Sequence, residues 1–289
     1  MKEGRIIRSF DPWRSPLCTC PAKYSLAPYT GCGHSCVYCY ISSYVPRAFE
    51  PRVKRCVIER VREDLKVIDR SKPIELSASS DPYTPMERTL NITRGVLQEL
   101  CDSGFRFIIQ TKSDLVLRDA DILSSARAAV VMTITTLGSM AKRIEPGAPS
   151  PTKRLEALRQ LANRGITTAA RVDPIIPWVN DDPLPELIRA LESSGVQHVV
   201  ASTFKARPDG LNRLMRAVPE AAERTSRAYR QEGMRVSNSL YLDMGVRRTI
   251  LLNVREKVMD AGMTFATCRE GLDELRSSST CDGTHLIPK

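Results

Sequence analysis

An α/β fold, built as a partial (β/α)6 TIM barrel with a helical C-terminal extension, is what this sequence predicts. From residue 70 onward, short apolar or β-branched runs alternate with helical patterns, as repeated βα units around a parallel sheet require. A chain of 289 residues with 42% hydrophobic content is long enough for one large core. No internal repeat, low-complexity tract or linker divides it.

The first strand is expected near Ser25–Tyr29, leading into a cysteine-bearing loop. Ile74–Ser79, Phe105–Thr111, Ala129–Thr135, Thr167–Ile175 and His198–Phe204 supply the other strands. Between them Val53–Ile68, Leu90–Cys101, Asp119–Ala126, Lys153–Ala162 and Pro185–Glu192 carry apolar residues at three- and four-residue spacing, the mark of amphipathic helices. Cys56 and Cys101 fall within these patterns and read as small buried hydrophobes. After Phe204 come a basic helical stretch over Leu211–Gln231, a second over Val246–Ala261 and a polar, cysteine-bearing tail, expected to pack across the barrel mouth. The chain thus divides into an N-terminal segment 1–23, a barrel 24–205 and an extension 206–289. Ligand groups are expected at the carboxyl ends of the strands, where the cysteine loop also falls.

A formal net charge of +10 favours an anionic partner such as nucleic acid, although basic charge also serves solubility. Arg47, Arg52, Lys54 and Arg55 follow the cysteine loop, and Arg213, Arg216, Arg224, Arg227 and Arg230 crowd the late helix. A solvated basic face is their default reading, and a phosphate-contacting groove the functional one. No apolar run reaches the length of a membrane span, and Met-Lys-Glu-Gly-Arg carries no apolar signal core, so a cytoplasmic protein is expected. In such a compartment nine cysteines read as metal ligands rather than a disulfide framework.

The chemistry is concentrated in Cys32, Cys36 and Cys39, within Gly31-Cys-Gly-His-Ser-Cys-Val-Tyr-Cys-Tyr40. The spacing C-x3-C-x2-C offers one thiolate too few for a cubane iron–sulfur cluster, which normally takes four, so one iron is left open to a small molecule. A structural zinc usually draws on two well-separated pairs of ligands. His34, inside the loop, reads as a spacer or a hydrogen-bonding neighbour and not as a ligand.

This loop resembles that of the radical S-adenosylmethionine (SAM) superfamily. Four segments carry a narrower resemblance, over about Tyr24 to Phe204, to its spore photoproduct lyase or DNA repair photolyase-like group: Tyr29–Tyr40, Glu75-Leu-Ser-Ala-Ser-Ser-Asp81, Gln110-Thr-Lys-Ser113 and Ile144-Glu-Pro-Gly-Ala-Pro-Ser-Pro-Thr-Lys-Arg-Leu-Glu156. The resemblance implies a barrel of the radical SAM type and a [4Fe-4S] cluster on Cys32, Cys36 and Cys39, with SAM chelating the open iron. It implies that SAM is cleaved to a 5′-deoxyadenosyl radical that abstracts a hydrogen atom. By the same resemblance Tyr38 packs on the adenine, Lys112 holds the SAM carboxylate and Thr133 stands where the lyase has a serine near SAM. One departure counts against spore photoproduct repair itself: Ala78 occupies the position of the lyase's hydrogen-donating cysteine.

Read directly, Ser77, Ser79, Ser80 and Asp81 place hydroxyls and a carboxylate where the amine or ribose of SAM could bind, while Asp81-Pro82 also signals a turn. Arg171 and Asp173 lie late on a strand, where an inward charge must be paired or bound to ligand, and Arg171 is expected near SAM or substrate. Cys18 and Cys20 alternate on an extended segment and can reach one metal together. With Cys268 and Cys281 they could close an auxiliary four-iron cluster; a zinc tetrahedron or unpaired thiols are the alternatives. The expected activity is therefore radical SAM chemistry on nucleic acid, DNA or tRNA, for repair or base modification, fed by a donor such as ferredoxin or flavodoxin. Modification of a protein side chain and plain electron transfer or redox sensing are the competing readings.

Overall fold

The computed structural model describes residues 4–11, 15–77 and 79–289, so Ala78 lies outside the described residues. Eight strands form one sheet in chain order: Arg8–Ser9 (β1), Tyr24–Leu26 (β2), Ile74–Leu76 (β3), Phe107–Thr111 (β4), Ala128–Thr133 (β5), Thr167–Ile175 (β6), His198–Thr203 (β7) and Thr264–Thr267 (β8). All neighbours from β2 to β8 are parallel, and β1 runs antiparallel on the β2 edge. The six expected strands are thus present in the expected order, and β8 extends the parallel sheet by one.

Side chains alternate along the strands because successive residues point to opposite faces. Phe107, Ile109, Val130, Met132, Ala170 and Val172 join the core beneath the helices. Ser25, Glu75, Gln110, Thr133, Arg171 and Val200, of the other parity, line a single cavity. A flat sheet could not bring six strands around one space, so the sheet curls into an open barrel. Both of its faces are buried, which explains why its strands read as nearly continuous apolar runs.

The helices form the outer layer through one apolar stripe each. Leu187, Ile188 and Leu191 of Leu184–Ser193 are fully buried or nearly so, each worth about 1.5–3 kcal/mol relative to exposure. Pro151–Asn163 starts where Ser150 accepts a hydrogen bond from Lys153 N at 3.3 Å, with Pro151 in the first turn, where its missing N–H costs nothing.

Several expectations are corrected. The stretch Leu211–Gln231 is two helices, Pro208–Ala217 and Ala222–Arg230, separated at Val218-Pro219 because proline cannot continue a helix. Ile74–Ser79 stops at Leu76, since Ser77 turns to a left-handed φ of +72°. Cys56 is exposed and not buried, because it precedes the helix Val57–Leu65 with φ +45°. The extension does not simply cover the mouth: Met244–Asp260 packs outside, against β7 and β8. The tail beyond β8 then enters the barrel, where Leu286 and Ile287 pack on Ile108, Ala129, Val131 and Ala169 near the starts of their strands. His285 meets His198 edge-on with centroids 4.9 Å apart.

Candidate functional site: a cysteine-lined barrel cavity

The cysteine loop is closed at its base, where Tyr29–Thr30 pairs antiparallel with Arg52–Val53. Gly31 allows this closure: it has φ +79°, and a Cβ there would lie 2.7 Å from Glu50 O and 2.9 Å from Ala48 O. Cys32 N then donates to Ala48 O at 2.8 Å. The segment Ile144–Glu156 braces the loop from the other side. Val37 N donates to Ile144 O and Gly147 N to His34 O, both at 2.9 Å. Gly147 approaches so closely that a Cβ would collide with Gly33 O.

Side chains complete the brace. Tyr38 OH donates to Glu145, whose Oε1 also accepts from Thr135 Oγ1 at 2.9 Å and whose Oε2 pairs with Arg154 at 2.6 Å. Burial works against the Glu145 carboxylate, but Arg154 and Lys112 outweigh it and hold the carboxyl below its usual value. From Pro208–Ala217, Arg213 donates to Val37 O at 3.0 Å, Cys39 O at 2.7 Å and Ser42 Oγ at 2.8 Å. Such rigidity suits a site whose ligands must be pre-positioned. Burial pushes all three thiols up, Cys32 to about 12, so a bound cation is what would keep them as thiolates.

The three cysteines open on a cavity of about 420 Å³. Lys112 lines it, with its ammonium 5.7 Å from the Tyr38 ring centroid and no ion-pair partner among the described residues. Ser77 lines it too, buried and with no hydrogen-bond partner for its hydroxyl among the described residues. A buried polar atom without a partner carries a desolvation cost that a ligand can relieve. An unpaired cation and an unpaired hydroxyl beside a trio of thiols fit an iron–sulfur cluster carrying a small zwitterionic ligand, so the residues present suit the group the sequence implies.

The other expected site residues reach the same cavity in different states of commitment. Thr133 is buried on its wall, and Ser79 lines the cavity too. Ser80 donates to Tyr29 O at 3.0 Å. Asp81 accepts from Thr111 Oγ1 at 2.7 Å, Lys112 N at 2.7 Å and Tyr83 N at 2.9 Å, and pairs with His34 Nε2 at 3.2 Å. Burial alone would raise its carboxyl, yet His34 and these donors keep it below its usual value. Asp81 therefore ties the cysteine loop to the end of β4. Arg171 pairs with Asp173 at 2.7 Å and donates to Cys268 Sγ at 3.0 Å.

Cys18, Cys20, Cys268 and Cys281 line this cavity as well, with Cys20 and Cys281 sulfurs 3.5 Å apart. Beside them Lys23 forms a buried triad with Glu75 and Asp282, and Gln110 donates to Glu75 at 2.8 Å. The basic residues are less free than their number suggests: Arg52 donates to the carbonyls of Pro46, Arg47 and Glu50, Arg213 holds the cysteine loop, and Arg227 pairs with Glu232 at 3.3 Å. From the sequence alone Glu145 and Arg154 carry no assigned role and Arg213 reads only as charge. Glu145 meets Tyr38 across 107 positions and Arg213 meets Val37 across 176, so no local pattern marks those contacts.

The radical SAM superfamily model matches residues 26–191, more than half of the chain. A protein of Methanocaldococcus jannaschii is 36% identical over 166 residues, 55% of this chain and 63% of that protein, so the match spans less than two thirds of the relative's length. The radical SAM Nalpha-GlyT isomerase of Pseudomonas phage M6 is 23% identical over 84% of this chain and 53% of its own. Among solved structures, spore photoproduct lyase complexed with dinucleoside spore photoproduct superposes with a TM-score of 0.63, at 16% identity, over 90% of this chain and 77% of the lyase, a likeness of fold. No helix among the described residues is long and apolar enough to cross a membrane. With the superfamily model matching residues 26–191, from the cysteine loop through β6, and the cysteine trio lining the barrel cavity, this chain belongs to the radical SAM superfamily.

Proposed function

We propose that this chain is a radical SAM enzyme that acts on a nucleic acid, DNA or tRNA, in repair or base modification, in the cytoplasm with ferredoxin or flavodoxin as electron donor. When bound at Cys32, Cys36 and Cys39, a [4Fe-4S] cluster and SAM supply a 5′-deoxyadenosyl radical able to take a hydrogen atom from a substrate carbon. The observation that carries the reading is the pair of uncommitted polar groups, Lys112 Nζ and Ser77 Oγ, on the same cavity as the three thiols. Lys112 holds the SAM carboxylate, a charge-assisted contact stronger than a neutral one. Ser77, Ser79, Ser80 and Thr133 bind its amine and ribose, Tyr38 packs on its adenine, and Asp81 and Arg171 keep the surrounding wall in place. Fixing the reactants and excluding water are the protein's part; the hard bond cleavage belongs to the cofactor.

Support for the substrate class comes from the net charge of +10 and from the rim. There the half-exposed Tyr44 stacks on Tyr40 with centroids 6.2 Å apart, and Arg207 and Arg269 bear on Tyr44. Aromatic faces beside arginine make a platform for an unstacked base. The test is anaerobic incubation of the iron-loaded chain with SAM and a strong reductant. Formation of 5′-deoxyadenosine, stimulated by DNA or tRNA and bound with strong salt dependence, is expected. No 5′-deoxyadenosine from a fully loaded cluster overturns the enzyme reading in favour of electron transfer. Stimulation by a peptide and not by a polynucleotide overturns the substrate class.

A further inference from the structure

We propose that Cys18, Cys20, Cys268 and Cys281 bind a second [4Fe-4S] cluster, fully ligated by protein, that clasps the open seam of the barrel. The seam lies between the first and last strands of the sheet, because the strand order runs from β1 to β8 without closing. Cys18 and Cys20 belong to the segment joining β1 to β2 on one side of it. On the other side, Cys268 follows directly on β8, and Cys281 lies in the tail that turns back into the barrel. All four thiols line one cavity, Cys20 and Cys281 with sulfurs 3.5 Å apart and Cys18 beside Cys20. Among the described residues side chains and tail join the two edges: Thr19 donates to Asp273 at 3.3 Å, and Lys23 pairs with Asp282.

Four thiolates are the normal complement of a cubane cluster with no open iron. Their charge would be partly offset in place, since Arg171 already donates to Cys268 at 3.0 Å and Lys23 stands beside Cys20. A cubane spreads its ligands over four irons, whereas one zinc gathers them around a single ion. Cys20 and Cys281, with sulfurs 3.5 Å apart, must separate to span a cubane, so the metal count is what distinguishes the cluster from a zinc. Exposed Cys56 and helix-bound Cys101 line no part of this cavity, so the nine cysteines divide into three, four and two.

Iron and sulfide counting on anaerobically reconstituted protein tests the assignment independently of turnover. About eight irons per chain are expected in the full protein, and about four in Cys32→Ala/Cys36→Ala/Cys39→Ala, which keeps the whole seam set. The iron left in that variant should give the electron paramagnetic resonance of a reduced cubane that SAM does not alter. Cys18→Ser/Cys20→Ser/Cys268→Ser/Cys281→Ser should keep about four irons and a signal that SAM does alter. If the quadruple variant fails to fold, the triple variant alone decides. An iron-free triple variant, bound zinc, or a Cys20–Cys281 disulfide in the anaerobic protein overturns the proposal. Stripping iron from the triple variant should lower its melting temperature, and an unchanged value overturns the clasp. Eight irons without 5′-deoxyadenosine would leave this site standing and sink only the SAM reading.

Discussion

On one part of the cavity lining, three cysteines fall within a single loop whose backbone is bonded to Ala48, Ile144 and Gly147. On another, four cysteines arrive from segments up to 263 positions apart and are met by side chains. The first arrangement is rigid before any metal binds, since Tyr38, Glu145, Arg154 and Arg213 fix it from two directions. The second draws its two halves from opposite ends of a sheet and has no shared backbone ladder. Pre-organisation on the loop side suits a centre that must present an open iron in one geometry. The seam side needs only to hold its two edges together.

The largest effect should come from exchanging one thiol on each side. Cys36→Ala should reduce 5′-deoxyadenosine formation to the level of a protein-free control, while Cys268→Ser should retain measurable cleavage of SAM. Equal loss in both, by chromatographic assay, would erase the distinction between the two groups. Next, Arg154→Met leaves Glu145 buried without its cation and should cost about 3–5 kcal/mol in urea unfolding. A change below about 1 kcal/mol, no larger than an exposed ion pair provides, would show that the brace is not needed for the loop.

A pH titration probes the floor beneath the seam. Burial and the neighbouring His285 push His198 down to about 4 from its usual 6.5. The unfolded chain takes the proton near the usual value and the folded chain refuses it, so stability falls as pH drops from 6.5 toward 4 and is unaffected above that window. The loss is about 3 kcal/mol at the low end. His198→Phe should remove most of that slope in pH-dependent chemical unfolding, the remainder coming from His285, which burial also lowers, and an unchanged slope assigns it elsewhere. The smallest change expected is in Gly147→Ala, where the new Cβ meets Gly33 O and should cost about 1–3 kcal/mol. A substitution tolerated without loss, measured by thermal melting, would mean that the loop can yield by the better part of an ångström.

The cysteine trio was legible because its ligands are neighbours in sequence, with a fixed short spacing. The six central strands were legible because their apolar runs stand out between amphipathic helices. β8 was not, since Thr264–Thr267 is four residues long and follows a helix within a stretch that reads as an appendage. Pairing with β7 supplies what its sequence lacks. The grouping of Cys18, Cys20, Cys268 and Cys281 could be guessed from number alone, but only the curl of the sheet brings them to one cavity. Arg213 illustrates the opposite failure: a helix rich in arginine reads as a polyanion surface, yet this guanidinium is spent on carbonyls of the cysteine loop.

Leu286 and Ile287, seated on Ile108, Ala129, Val131 and Ala169, give the barrel a solid base. With that end filled, nothing passes straight through from one end of the barrel to the other. A long polymer could not thread through such a vessel; it would have to offer one protruding unit.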